Sequence, residues 1–188
     1  PVEVKDALAT IQDRLRVQLA RDGIDRGIRW TAPDGIHLTL KFLGDTPEDL
    51  LPDLGKHLET VLADVGAPRL SLDGLGVFPN PRTPRVIWVG LGGDIAALAS
   101  LQKRVESEIS PLGFPAETRP FSPHLTLARV AEYVGREERE RIGAVVQRAH
   151  LAEATQFVAS TVSLIRSDLL PGGAVYTPLH AATLSSHS

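Results

Sequence analysis

The string His-Leu-Thr-Leu occurs twice in this chain, at 37–40 and again at 124–127. A shuffled chain of the same composition would hold about 0.4 His-x-Thr matches but only about 0.01 copies of the four-residue string, so its repetition is a signal. In a strand, side chains alternate, and each copy therefore sets two Leu residues against an interior while lifting one His and one Thr onto the opposite face. Each copy also stands in a stretch that reads as a strand followed by a helix. The expectation is a single domain spanning 1–188, built of two related lobes with one His-x-Thr motif each.

The rest of the pattern supports a mixed architecture. Val4, Leu8, Ile11, Leu15 and Leu19 recur at intervals of three or four and predict an amphipathic helix over Val2 to Arg21. Strands are predicted at Ile28 to Thr31 and Ile36 to Leu43, either side of the turn signal Ala32-Pro33-Asp34-Gly35. A helix over Pro47 to Asp64 is followed by strands near Arg69 to Phe78 and Arg85 to Gly90, joined through the Pro-rich segment 79–84. Asp94 to Ser110 and Arg136 to His150 read as helices; His124 to Val130, Gln156 to Ile165 and Ala174 to Ala182 read as strands. This order does not alternate strictly, which favours α+β with antiparallel sheets over a parallel doubly wound sheet.

Composition narrows the function. A chain of 188 residues can bury a core without a disulfide or structural metal. The absence of cysteine excludes a zinc finger and a cysteine nucleophile and is compatible with a cytoplasmic protein. The longest apolar runs are too short for a bilayer, so no membrane partner is expected. A formal net charge of −3 argues against broad coating of nucleic acid and leaves room only for a local cationic pocket, with Arg82, Arg85, Arg119 and Arg129 as its candidates. The chain opens at Pro1 and contains no methionine, so its natural N-terminus is expected to be missing.

Two His-Thr pairs suit phosphodiester chemistry. In-line displacement needs one group to deprotonate the attacking oxygen and another to protonate the departing one, and imidazole does either near neutrality. Threonine hydroxyls one pleat along can donate to the non-bridging oxygens as charge builds there. On the first strand Lys41 would share the face of His37 and Thr39, while Ile36, Leu38, Leu40 and Phe42 take the other. Metal ligation by the two histidines is the minor alternative, since no HxH, HExxH or matching carboxylate accompanies them. No metal or other cofactor is expected. His57, His150, His180 and His187 lack comparable neighbours and read as surface or structural residues. No GxSxG elbow, dinucleotide fingerprint or P-loop is present.

With these residues in view, the chain resembles the 2H phosphoesterase superfamily, defined by paired HxT motifs, and within it the bacterial and archaeal RNA 2′,3′-cyclic phosphodiesterases, also called 2′-5′ RNA ligases. The likeness rests on Trp30, HLTLKFLG at 37–44, GVFPNPRTPRVIWVGL at 76–91, FSPHLTLAR at 121–129 and SDLLPGGAVYTPL at 167–179. It implies a bilobal, duplicated fold with antiparallel sheets facing a central cleft. It also implies metal-independent opening of a 2′,3′-cyclic phosphate to a 2′-phosphomonoester, with weak reversible 2′-5′ joining. His37 would be the acid and His124 the base, Thr39 and Thr126 would hold phosphate oxygens, and Arg129 would add positive charge. Strict strand parity sets Arg129 on the Leu face, so that role requires a bulge. The implied partner is an RNA or nucleotide ending in a 2′,3′-cyclic phosphate, and a monomer would suffice. Family members usually begin with a short RxFxA strand that this chain lacks. Two alternatives stand beside this reading: a 2H phosphoesterase for another small cyclic phosphate or a 2′-5′ linked oligonucleotide, and a noncatalytic module that binds RNA ends.

Overall fold

The computed structural model describes residues 1–24, 26–151, 155–170 and 173–186. His187 and two positions of the C-terminal SDLLPGGAVYTPL pattern, 171 and 172, lie outside the described residues. Four helices, α1 (Val2–Arg21), α2 (Leu51–Leu62), α3 (Ile95–Ile109) and α4 (Arg136–Arg148), accompany seven strands among the described residues. These are β1 (Ile28–Trp30), β2 (Arg69–Phe78), β3 (Val86–Gly93), β4 (His124–Val130), β5 (Gln156–Val158), β6 (Thr161–Leu170) and β7 (Gly173–Thr183). One sheet has the order β1-β4-β3-β2-β5, and β6 and β7 form a second. The pairs β1/β4, β3/β4 and β6/β7 are antiparallel, so the fold is α+β as expected.

The chain forms two compact units that do not follow its halves. The first comprises Pro1–Leu38, Ser71–Gly92 and Pro123–Phe157; the second comprises Thr39–Leu70, Gly93–Ser122 and Val158–Ser188. His37 and His124 both fall in the first unit, and the boundary passes between Leu38 and Thr39.

In the first unit α1 lays Val4, Leu8, Leu15 and Leu19 against Ile87, Val89, Leu125, Leu127 and Val130 of the sheet and Ile142 and Val146 of α4. Burial of each such side chain contributes on the order of 2 kcal/mol. Gln12, not Ile11, completes the buried stripe of α1, and it is only 2% exposed. Its position there is explained by its bonds: Nε2 donates to the carbonyls of Thr31 (2.7 Å) and Leu127 (2.9 Å). The Leu127 carbonyl also accepts from the Thr31 N–H at 2.9 Å, so a polar side chain on the apolar stripe ties α1 to β4 where that strand is irregular.

In the second unit Leu54, Leu58 and Leu62 of α2, Leu98, Leu101 and Val105 of α3, and Leu164, Ala182 and Leu184 are buried. The strand expected over Ile36 to Leu43 does not form. Its one ladder contact is an isolated antiparallel bridge, Leu38 to Leu125, and beyond it the alternation fails, leaving Phe42 74% exposed. Lys41 does not share an open face with His37 and Thr39. Its side chain is buried and Nζ donates to Glu106 Oε1 (2.7 Å), the Pro115 carbonyl (2.8 Å) and Ser110 Oγ (3.3 Å). Burial by itself would raise the Glu106 carboxyl. Hydrogen bonds from Lys41, Ser110 and the Glu117 N–H, with the charge of Lys41, outweigh it and hold that group below the ordinary carboxylate range. A buried ammonium needs such a partner set, and that requirement decides where Lys41 points.

Candidate active site

The Leu38–Leu125 bridge joins the two copies of the repeated motif. Ile36, Leu38 and Leu125 pack into the core of the first unit, so His37, between the first two, faces the other way. Across an antiparallel bridge the residue before one partner stands opposite the residue after the other, which sets His37 against Thr126. His124, two residues before Thr126, shares that face and is the diagonal neighbour of His37. In a regular ladder such diagonal neighbours stand roughly 7–8 Å apart, a separation that admits a phosphate between two side chains.

Each imidazole is oriented. His37 Nδ1 lies 2.9 Å from the Gly35 carbonyl oxygen. A carbonyl only accepts, so Nδ1 carries the hydrogen of this bond. Gly35 closes a short 3-10 turn over Pro33–Gly35, whose Pro-Asp-Gly sequence is what places that carbonyl two residues before the histidine. His124 meets Phe78 edge to face, with ring centroids 4.9 Å apart at 81°, and Phe78 in turn lies against Trp88 at 5.1 Å. Trp88 is 6.4 Å from His124. These rings form an apolar wall that restricts the His124 imidazole.

The wall needs Gly76. A Cβ at that position would run into the six-membered ring of Trp88. Gly76→Ala is therefore expected to displace Trp88 and, through Phe78, the ring of His124. Stability should fall by roughly 1–3 kcal/mol, and catalysis by about tenfold, since small misplacements of a reacting group are costly. Thermal melting and kcat on one substrate check both. Unchanged kcat in a destabilised variant would show that the wall does not position His124.

Arg129 reaches the same face by a bulge. Val86 pairs with Arg129, Ile87 with Ala128, but Trp88 pairs with Thr126 and Gly90 with His124. Leu127 is thus the extra residue of β4. Val86, Trp88 and Gly90 share one face of β3 by simple alternation, so their partners Arg129, Thr126 and His124 share it also. Leu127 and Ala128 are both fully buried while Arg129 is exposed, as a parity break between them demands.

Of the five residues singled out from the sequence, His37, His124, Thr126 and Arg129 thus occupy one face in the first unit, whereas Thr39 is the first residue of the second unit. The other arginines of the expected cationic pocket do not join Arg129 on the paired positions of that face. Arg119 belongs to the second unit, where its guanidinium donates to both oxygens of Glu117 at 3.0 and 2.7 Å and its hydrogen bonds hold that carboxyl down to about 2. Arg82 and Arg85 lie in and just after the Pro-rich segment. His57 and His180 sit in the second unit near Glu108 (3.6 Å) and Glu59 (3.0 Å) respectively. No group of three or more His, Asp or Glu residues among the described residues is arranged to hold a metal ion. No helix among the described residues is long and apolar enough to cross a membrane.

Sequence reasoning passed over Phe78, Trp88 and Gln12. The parity of strands β2 and β3 could have marked the two aromatics, which stand in the quoted string at 76–91, as sharing the face of His124.

The family model for the 2'-5' RNA ligase superfamily matches residues 4–169. The chain belongs to this superfamily. It is 32% identical over 181 residues to the RNA 2',3'-cyclic phosphodiesterase of Methanothermobacter thermautotrophicus, covering 96% of this chain and 92% of that protein. It is 34% identical over 193 residues to the enzyme of the same description from Thermus thermophilus, covering 98% and 86%. A crystal structure of a Thermus thermophilus protein superposes with a TM-score of 0.77 at 28% identity, over all of this chain and 95% of that one. E. coli LigT complexed with 3'-AMP superposes with a TM-score of 0.66 at 25% identity, over 94% and 92%.

Proposed function

We propose that this member of the superfamily is an RNA 2′,3′-cyclic phosphodiesterase that opens the cyclic phosphate to a 2′-phosphomonoester without a metal ion. The observation that carries the reading is the meeting of the two repeated motifs at the Leu38–Leu125 bridge, which puts His37 and His124 on one face. The relatives described as RNA 2',3'-cyclic phosphodiesterases supply the substrate class, and the 3'-AMP held by LigT supports a nucleotide as the ligand.

In the forward reaction His124 takes a proton from water as the water oxygen bonds to phosphorus. The bond between phosphorus and O3′ breaks opposite it, and His37 Nε2–H gives its proton to O3′. The 2′-phosphate remains. Thr126 donates a hydroxyl hydrogen bond to a non-bridging oxygen, and Arg129 balances the charge that develops there. A second proton shift restores the starting state of both imidazoles. With the 5′-hydroxyl of an RNA in place of water as the attacking group, the same step opens the cyclic phosphate to a 2′-5′ phosphodiester, O3′ again leaving with the proton from His37, which accords with the ligase description of the superfamily.

The test is hydrolysis of a nucleoside 2′,3′-cyclic phosphate in EDTA across pH, with the product isomer identified. A 2′-phosphate and a bell-shaped profile are expected, because one imidazole must be neutral and the other charged. A 3′-phosphate product would reverse the assignment of leaving oxygen. Activity abolished by EDTA and restored by a divalent ion would make the histidines metal ligands instead.

A further inference from the structure

The register of the five-stranded sheet sets a second arginine beside Arg129. Arg29 of β1 is its direct cross-strand partner, so the two side chains leave the sheet on the same face, that of His124 and Thr126. Both are exposed. Among the described residues neither side chain has a hydrogen-bond or ion-pair partner. Arg16, Arg104, Arg119, Arg136, Arg148 and Arg166 each pair with a carboxylate, and what sets Arg29 and Arg129 apart from the other arginines is that the sheet register holds them side by side. Like charges directly opposite one another destabilise a sheet. Two unpartnered guanidinium groups held side by side, in a protein of net charge −3, have the character of an anion site.

The position narrows the anion. Arg129 lies three residues beyond Thr126, roughly 10 Å along an extended strand and less through a bulge. Arg29 lies one strand further out. That is too far for both guanidinium groups to grip the same phosphate as His124 and Thr126, and it is within reach of one nucleotide plus an arginine side chain. We infer that Arg29 forms a subsite for the phosphate on the 5′ side of the terminal nucleotide, with Arg129 standing between it and the cyclic phosphate, so that the protein reads the last internal phosphodiester of an RNA as well as its cyclic end. The inference rests on the activity proposed above. Planar forks suit such a group, because each guanidinium donates two parallel hydrogen bonds to phosphate oxygens.

The experiment compares kcat/KM for adenosine 2′,3′-cyclic phosphate with and without a 5′-phosphate, and for the dinucleotide ApA with the same cyclic end. The wild-type chain should favour the two substrates that carry the 5′-side phosphate. In Arg29→Gln the ratio of 5′-phosphorylated to plain substrate should fall about tenfold, with part of it kept in Arg29→Lys. Raising the ionic strength should shrink the wild-type ratio. The melting temperature of Arg29→Gln should be unchanged or higher, because a like-charge pair is relieved. A ratio that is the same in wild type and variant, or equal losses on all three substrates, overturns the subsite. Should wild type hydrolyse none of them, the proposed activity fails. Titration with adenosine 2′,5′-bisphosphate against 2′-AMP then decides the subsite separately, and equal affinities overturn it.

Discussion

His37→Ala and His124→Ala are each expected to lower kcat for a nucleoside 2′,3′-cyclic phosphate by about 10²–10⁴-fold, with KM changed far less. Removing the base leaves water as the attacking group with no acceptor for its proton. Removing the acid leaves an alkoxide as the departing group. Each loss falls on the transition state more than on binding, hence on kcat. The two act as a unit, so the double variant should be no slower than roughly the worse single one, a non-additivity typical of paired catalytic groups. The pH profile separates the roles. If His124 is the base, its removal flattens the acid limb of the bell, and if His37 is the acid, its removal flattens the alkaline limb. Losses confined to KM, or multiplicative effects in the double variant, would mean that the histidines bind the phosphate without moving protons. Neither imidazole lies in the deep core, and His37 is held by a backbone carbonyl, so both variants should retain their fold by circular dichroism.

Leu127→Ala should be the most damaging of the large-to-small changes near the site. Leu127 is fully buried in the core of the first unit, and truncation of such a leucine costs about 3–4 kcal/mol, transfer and cavity included. At roughly 2–4 °C per kcal/mol for a chain of this size, the melting temperature should fall by about 10 °C. The position gives the change a second consequence. Leu127 is the extra residue of the β4 bulge, and its carbonyl is held by Gln12 and Thr31. Loosening it frees the segment between Thr126 and Arg129, so KM for a cyclic nucleotide should rise at temperatures where the variant is still folded. Leu8→Ala provides the control, since Leu8 lies in the same core but on α1. Matching KM values in the two variants would show that the bulge does not place Arg129 for substrate.

Much of this molecule is legible in one dimension. The helix over Val2–Arg21 and the strand over His124–Val130 coincide with the sequence expectations, because amphipathic spacing and alternation are properties of adjacent residues. The helix expected over Asp94 to Ser110 differs only in its ends, with Asp94 at the cap. The segment after His37 departs from its pattern for a physical reason. Alternation over Ile36 to Leu43 describes a strand only if a neighbour supplies a ladder, and the chain gives it one bridge before Lys41 turns to Glu106. A buried ion pair between residues sixty-five positions apart leaves no mark on local pattern.

The parity of Arg129 is the sharper case. Leu127 and Ala128 are both apolar, so nothing in the string shows that both face inward. The bulge exists because β3 and β4 pair in a particular register while Gln12 and Thr31 satisfy the Leu127 carbonyl. Arg29 likewise reads as an ordinary polar strand residue until β1 is laid against β4. The repeated His-Leu-Thr-Leu by itself singled out the side chains proposed for the chemistry and showed that each His travels with a Thr, since a motif is a property of adjacent residues. Which face Arg129 and Arg29 share with His124, and how His37 meets Thr126, were decided only by strand pairing and core packing between segments far apart in the chain, because register and bulges are set by long-range hydrogen bonds that no local pattern encodes.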